Sequence, residues 1–181
     1  MTGQKRNGII KQRRRAEHAV AASGLYCLLF VLLVRCAAGR SGKNCLYFYP
    51  KAYIDEAQKR GIADRAETMK KGKRFMLLFC VVMLAALIAM LSLWNRAADF
   101  KTAYGQAAAI LIAANWFDGI VVDRLWVGHG KIWVIEGMEG VPYVKPWRDV
   151  LIKRALATAL YLMVALAVAG AAVGIGKIIA Q

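Results

Sequence analysis

The sequence predicts an all-α integral membrane protein that folds as one small transmembrane helical bundle. Its hydrophobic fraction is 59%, above the roughly 45–50% that is usual for soluble domains. The apolar residues form four blocks that are nearly free of charge, at 19–34, 75–95, 102–122 and 155–176. A helix needs about 20 residues to cross the hydrocarbon core, and an open strand would leave its backbone polar groups unsatisfied there. The blocks therefore predict membrane-crossing helices.

The first block is shorter than the others, because it is bounded by His18 and Arg35. A full span is the main interpretation, but a re-entrant or interfacial segment also fits this length. A secretory signal peptide is a third interpretation, with Lys5–Arg15 as its basic region and small residues at 36–39. The residues of this block alone leave the three interpretations open.

The blocks also define the domain organisation. About 180 residues leave no room for a second domain, so we predict a basic N-terminal tail at 1–18 and a single membrane domain at 19–181. The four spans are expected at about 19–35, 74–95, 102–123 and 154–176.

The distribution of Lys and Arg predicts which loops face the cytoplasm. The chain carries 26 Lys and Arg against 11 Asp and Glu, a formal charge of +15. With four spans, seventeen of the 26 lie in or beside loops 36–73 and 124–153, and nine lie on the other side. The positive-inside rule then places both loops in the cytoplasm. The same holds if the first block does not cross. We therefore predict a multi-pass membrane protein whose two large loops are cytoplasmic.

The placement of the basic residues also bears on partners. They flank apolar blocks, so we expect them to contact anionic lipid headgroups. Nucleic acid, which a soluble protein of this charge would suggest, is not expected. The expected partners are the lipid bilayer, further copies of the chain and other membrane proteins. Gly170 and Gly174 form a G-x-x-x-G pair in the last block, which favours close packing between helices.

Loop 36–73 contains two predicted amphipathic helices. The first opens at Pro50, runs to Arg60 and is stopped by Gly61. Its apolar residues recur at three- and four-residue spacing and so share one face. They are Tyr53, Ile54 and Ala57.

The second predicted helix of this loop runs from Asp64 to Lys71. Asp64 is its expected N-cap, and Glu67 follows three positions later in a capping-box pattern. This helix would lead towards the next span. We expect the two helices to form a hairpin that lies on the bilayer.

The end of the third block and the loop after it hold the candidate functional residues. Asp118 lies inside the block, and a charge there costs roughly 2.5–3.5 kcal/mol on insertion scales, so it is expected to face protein or water. Asn115 precedes it by three residues and is expected to bind it. Asp123 lies about 140° from Asp118 around an α-helix, so the two carboxylates are not predicted to share a face. The candidate cluster is Asn115, Asp118, Asp123, Arg124, His129 and Glu136.

Glycines predict how the chain continues after this cluster. Gly128 and Gly130 indicate that the third helix ends before them and that the chain turns back. The apolar–polar alternation at 131–136 then predicts a short strand-like segment. Pro146 would begin an entry helix at 147–154 that leads into the last block.

The segment from Phe117 to Glu139 carries the pattern F-D-x4-D-x-L-W-V-G-H-x-K-x-W-x-I-x-G-x-E. This pattern resembles a segment of small multi-pass membrane proteins from clostridia and related bacteria. The tyrosine–proline stretch that is followed by Gly61 and Ile62 is similar to the same family, so the resemblance extends over the larger part of the chain. It implies a multi-pass protein of a bacterial plasma membrane whose first block crosses the membrane, but it implies no activity. The basic tail is not part of the pattern.

Two non-enzymatic functions follow from these patterns. The main expectation is a non-catalytic membrane partner, scaffold or assembly subunit, because aromatic loops suit contacts with another membrane protein or with lipid headgroups. The first alternative is an ion- or proton-linked pathway for a small solute that uses Asp118. A competing interpretation of the same residues is purely structural. In it, Asp118 and Asp123 lie at the membrane interface and fix the topology by pairing with Arg124 or Lys131.

A metal-dependent membrane enzyme is the second alternative. Carboxylate oxygen and imidazole nitrogen suit zinc, iron or manganese. The candidate ligands are Asp118, Asp123, His129 and Glu136. The sequence contains no H-E-x-x-H motif, P-loop, G-x-G-x-x-G fingerprint or serine elbow. Catalysis is therefore the weaker expectation, and no cofactor is predicted, apart from the divalent metal of this alternative.

Overall fold

The computed structural model describes the backbone of residues 3–95 and 99–179, and the side chains of these residues from Glu17 onward. This part of the chain contains helices and turns but no strand. Within it, four helical stretches are long and apolar enough to cross a membrane. They are Glu17–Ala38, Arg65–Trp94, Phe100–His129 and Trp147–Ile179. The all-α prediction is confirmed, as is the number of candidate spans. Arg96 and the side chains of the basic tail before Glu17 lie outside the described residues.

Helix α1 runs from Gly3 to Ala38 and includes the first apolar block. Its stretch from Glu17 to Ala38 is 22 residues long, which at a rise of about 1.5 Å per residue is enough for a hydrocarbon core of about 30 Å. Arg35 ends the apolar block without ending the helix. Its guanidinium donates to the backbone carbonyl of Gly39 just beyond the helix, where cationic groups are favourable. The first block therefore lies on a helix of full span length.

Helix α2 spans Lys51–Lys59 and follows Pro50 directly, as predicted. Gly61, at φ 69°, ends it. The amide of Ile62 donates to the carbonyl of Ala57 at 2.9 Å, as in the hydrogen-bonded helix ends that favour a left-handed glycine. Both predicted boundaries of this helix are confirmed to within a residue.

Helix α3 spans Arg65–Ala89 and continues through a π-helical turn at Met90–Trp94. Asp64 caps it, since its Oδ1 accepts a hydrogen bond from the amide of Glu67 at 2.7 Å. The predicted cap is thus confirmed. The predicted short helix, however, is not a separate element. It forms the first turns of the second candidate span, because nothing between 71 and 75 breaks the helical hydrogen bonding.

The third candidate span consists of α4 at Phe100–Phe117, a π-helical segment at Asp118–Trp126 and one turn, α5, at Val127–His129. The prediction that the helix ends before Gly128 was wrong, because helical hydrogen bonding persists to His129. The amide of Gly130 still donates to the carbonyl of Trp126 at 2.8 Å. The predicted strand-like segment was also wrong, since Lys131–Trp133 forms a 3₁₀ turn.

Helix α6 spans Trp147–Ile179 without interruption. The amide of Val150 donates to the carbonyl of Pro146 at 3.2 Å, so the proline precedes the first turn as predicted. The entry helix and the last span are therefore one continuous helix. Gly170 and Gly174 are exposed on it, and an added Cβ at either would meet no described atom within 4 Å. Their predicted role in packing against another helix stays a prediction.

The described contacts divide the chain into two compact units. One comprises ranges 1–28, 83–115 and 156–181. Its contacts include small residues packed between helices, such as Ala103 and Ala169, which are both fully buried. They also include a hydrogen bond from Asn95 Nδ2 to Gln106 Oε1 at 3.1 Å. Small side chains and interhelical amide bonds are typical of helices that associate within lipid.

The other unit comprises ranges 29–82 and 116–155 and contains both loops. We use the name head for residues 39–64 and 130–146 of this unit. The head has a hydrophobic core of its own, in which Trp133 is 1% exposed. The other core residues of the head come from both loops: Cys45, Leu46, Tyr49, Tyr53, Ile54, Ala57, Ile135 and Met138.

This core changes the interpretation of helix α2. Tyr53, Ile54 and Ala57 do share one face, as predicted, and all three are buried. The face packs on Trp133 and its neighbours from the loop before α6. Protein side chains therefore cover this apolar face, and the hairpin's expected position on the bilayer stays a prediction.

Candidate functional site

The candidate site is built around Arg154, which is 5% exposed near the start of α6. Its Nη1 lies 2.6 Å from Oδ2 of Asp118, and its Nη2 donates to Oδ2 of Asp123 at 2.7 Å. One guanidinium thus holds two carboxylates, each through a charge-assisted hydrogen bond. We name these three residues the carboxylate triad.

The π-helical segment explains why the two carboxylates meet. In an α-helix, residues five apart point about 140° away from each other. In a π-helix each amide bonds the carbonyl five residues earlier, as the amide of Val127 does to the carbonyl of Val122. Asp118 and Asp123 then lie on one side of the segment. The prediction that they do not share a face was wrong because it assumed α-helical geometry.

Gly119 gives Arg154 the room to reach both carboxylates. A Cβ at Gly119 would lie 2.7 Å from Nε, 2.9 Å from Cγ and 3.0 Å from Cδ of Arg154. These distances are far below the roughly 3.5–4.0 Å of normal contact. Any side chain at position 119 would therefore require the Arg154 side chain to shift.

The triad carries more negative than positive charge when both carboxylates are ionised. Two carboxylates share one guanidinium, which leaves a formal charge of −1. The side chains of Asp118 and Asp123 are 21% and 30% exposed. The site is therefore shielded on the arginine side and partly open on the carboxylate side. Such an arrangement can hold a proton or attract a cation.

Asn115, another sequence-predicted site residue, takes part in a contact between two helices. It is buried, and its Nδ2 donates to Oγ1 of Thr158 at 3.0 Å. This hydrogen bond joins α4 to α6, as polar residues commonly do between membrane helices. The predicted hydrogen bond between Asn115 and Asp118 stays a prediction.

Arg124 lies in the same π-helical segment but serves another contact. Its Nη1 donates to the carbonyl of Lys145 at 2.8 Å, and its guanidinium lies 4.4 Å from the ring centroid of Trp147. This is cation–π geometry. The expectation that Arg124 or Lys131 pairs with the two carboxylates was wrong, because Arg154 occupies both of them.

The remaining candidates lie at the end of the third span and in the head. His129 Nδ1 lies 3.1 Å from the carbonyl of Leu125 and 3.2 Å from that of Arg124. Glu136 is exposed. Among the described residues, no group of three or more His, Cys, Asp and Glu side chains is placed to hold a metal ion. The metal site stays a prediction.

Sequence reasoning missed Arg154 and Gly119 as site residues. Arg154 entered only the charge tally, as the last basic residue before the fourth block. A signal was present, since a charge at the border of a block either points out to the headgroups or turns inward to pair. The choice between those outcomes depends on what the neighbouring segment offers. The role of Gly119 had no signal in the sequence.

Polar groups in the head are also paired across the two loops. Tyr49 Oη donates to the carbonyl of Trp133 at 2.6 Å, and burial raises the pKa of Tyr49 well above its ordinary value. Its hydroxyl therefore stays protonated and remains a donor at neutral pH. Arg60 Nη1 donates to the carbonyl of Gly137 at 2.9 Å. The two loops are thus joined by polar bonds as well as by the core.

Comparisons of the chain with protein-family models, with curated proteins and with solved structures found no match.

Proposed function

We propose that this chain is a non-catalytic membrane subunit, whose four apolar helices hold the head beside the bilayer for binding to another membrane protein. The observation that carries this proposal is the core of the head. Trp133 is 1% exposed and lies in one hydrophobic core with the buried Tyr53 of the other loop. Loops that serve only to connect spans need no such core, whereas a binding surface does need ordered support.

The bonds between the loops make the head a single surface. The hydrogen bond from Tyr49 to Trp133 joins residues 84 positions apart, and that from Arg60 to Gly137 joins residues 77 apart. Each such contact reduces the freedom of both loops before any partner arrives. A pre-ordered surface loses less entropy on binding and so gains affinity.

One region of the head surface suits a protein partner. Val134 is 49% exposed, and it is the one large hydrophobic side chain that the described part of the head leaves exposed. Lys131 and Glu136, on either side along the chain, are also exposed. An apolar contact within a charged rim is the usual composition of a protein interface. The excess of Lys and Arg in both loops supports a cytoplasmic head.

Site-specific photo-crosslinking in intact cells tests this proposal. A photoreactive residue at Val134 is expected to capture one membrane protein, identified by mass spectrometry, whereas the same residue at the exposed Lys59 on α2 captures none. In co-purification without the photoreactive residue, Val134→Asp is expected to reduce recovery of that protein at least tenfold, about 1.4 kcal/mol. Lys59→Glu is the matched control. Equal capture from both positions would overturn the proposed surface.

The carboxylate triad favours a second candidate function, a proton- or cation-linked pathway. The specific observation is that two carboxylates share one guanidinium and remain partly exposed. In a membrane helix, an acidic group is typical of proton and cation handling. A chain of this size would need further copies or partner subunits to enclose a pathway.

The two functions respond differently to Asp118→Asn. The pathway function predicts that Asp118→Asn abolishes proton or cation flux into proteoliposomes, while Asp55→Asn in the head leaves flux unchanged. The subunit function predicts that Asp118→Asn leaves capture at Val134 intact. Flux that is equally absent from the unmodified protein and from both variants would remove the pathway candidate.

A further inference from the structure

Three basic residues form one exposed face at the start of α3. Lys73 and Arg74 follow Lys70 by three and four residues, so both are neighbours of Lys70 on the helix surface. All three are exposed. None forms an ion pair with any residue in the described part of the chain, whereas the neighbouring Lys71 binds Glu67 at 2.8 Å. The three charges on this face are therefore available to an external anion.

The opposite face of this stretch packs on protein. Gly72 is buried, and a Cβ there would lie 2.7 Å from Cβ of Tyr47. Phe75 and Phe79 continue the same face, with ring centroids 5.6 Å apart, and Phe75 also contacts Tyr47 and Phe48. This packing fixes the rotation of α3 about its axis. The three basic side chains must then point away from the protein.

The basic face leads directly into a lipid-facing apolar face. Leu77 and Val81 lie on the same side of α3 as Lys73 and Arg74, by helical spacing, and they are 70% and 57% exposed. Only one helical turn, about 5.4 Å, separates the level of Lys73 and Arg74 from that of Leu77. If Leu77 contacts acyl chains, the basic face lies at the level of the lipid phosphates.

We propose that Lys70, Lys73 and Arg74 bind the phosphate groups of anionic phospholipids. Arginine presents a planar fork that matches two phosphate oxygens, and lysine supplies a point charge beside it. Clusters of basic residues immediately before a span are attracted to anionic lipid. The fixed rotation of α3 makes this a defined site on one side of the second span.

Lipid titration of the full-length protein in neutral detergent tests this site. Native mass spectrometry would count bound phosphatidylglycerol and, separately, bound phosphatidylcholine. The protein is expected to retain phosphatidylglycerol preferentially. The triple variant K70Q/K73Q/R74Q is expected to bind it on the order of a hundredfold more weakly, about a factor of five for each lost charge. In K70R/K73R/R74K, which keeps the charges, binding should persist.

A matched control separates this site from net charge. K43Q/K51Q/K131Q removes three exposed basic residues that do not precede a lipid-facing helix surface, and it should bind phosphatidylglycerol like the unmodified protein. Raising the salt concentration should weaken the binding of phosphatidylglycerol to the unmodified protein, because salt screens the attraction between charges. Equal losses in the two triple variants, or equal retention of the two lipids by the unmodified protein, would overturn the proposal.

Discussion

Replacing Arg154 with methionine is expected to lower the free energy of unfolding by about 3 kcal/mol, near the low end for the loss of one partner from a buried ion pair. Methionine keeps the apolar length of the side chain but removes the guanidinium that lies 2.6–2.7 Å from Asp118 and Asp123. Two carboxylates on one side of the π-helical segment would then repel each other. The low end of this range of destabilisation applies because both aspartates are partly exposed. The measurement is reversible unfolding by SDS in mixed micelles, followed by tryptophan fluorescence.

Neutralising the carboxylates should reverse most of this loss. In R154M/D118N/D123N neither carboxylate is left without its guanidinium, so the triple variant is expected to be more stable than R154M alone. Arg148→Met is the control, because Arg148 is an exposed basic residue in the first turn of α6, where substitutions cost about 0.5 kcal/mol or less. An R154M protein as stable as R148M would show that the triad contributes little to the fold.

Replacing Trp133 with alanine is expected to destabilise the head by about 3–5 kcal/mol, the usual cost of truncating a buried aromatic side chain. Trp133 is 1% exposed and packs edge-on against Trp126, with centroids 5.3 Å apart. The resulting cavity would also loosen the backbone carbonyl that accepts the hydrogen bond from Tyr49. The measurement is limited proteolysis in detergent, in which cleavage within 130–146 should become much faster while the spans stay protected.

Two further tryptophan variants act as controls. Trp133→Phe keeps an aromatic ring in the core and should cost far less than alanine. Trp147→Ala removes a ring that is 47% exposed and lies under Arg124, so its cost should be about 1 kcal/mol or less. Proteolysis that increases equally in W133A and W147A would contradict the central position of Trp133 in the head.

Local features of the loops were predictable because they depend on neighbouring residues. The cap of α3 by Asp64 and the end of α2 at Gly61 follow from side-chain and backbone preferences within a few positions. The shared face of Tyr53, Ile54 and Ala57 follows from helical periodicity. What covers that face was not predictable, because the covering residues lie about 80 positions later in the chain.

The third span shows the opposite case, in which local reasoning failed. Gly128 suggested a break, but glycine within a helix costs only about 1 kcal/mol, which continued hydrogen bonding offsets. The π-helical segment also has no simple sequence signature. Since the α-helical projection placed Asp118 and Asp123 apart, the triad was not expected, although both aspartates were chosen as candidates.

The sequence by itself determined that this is an all-α chain with four helices long and apolar enough to cross a membrane, because the length of an apolar block is compared directly with the thickness of the bilayer. It also indicated which carboxylates are candidate functional groups, because charges in apolar blocks are costly. Only the tertiary structure decided how these carboxylates are paired. Arg154 lies 31 positions from Asp123, and it reaches both aspartates only because the π-helical register aligns them and Gly119 leaves room. Such contacts depend on the packing of distant segments, which no single stretch of sequence encodes.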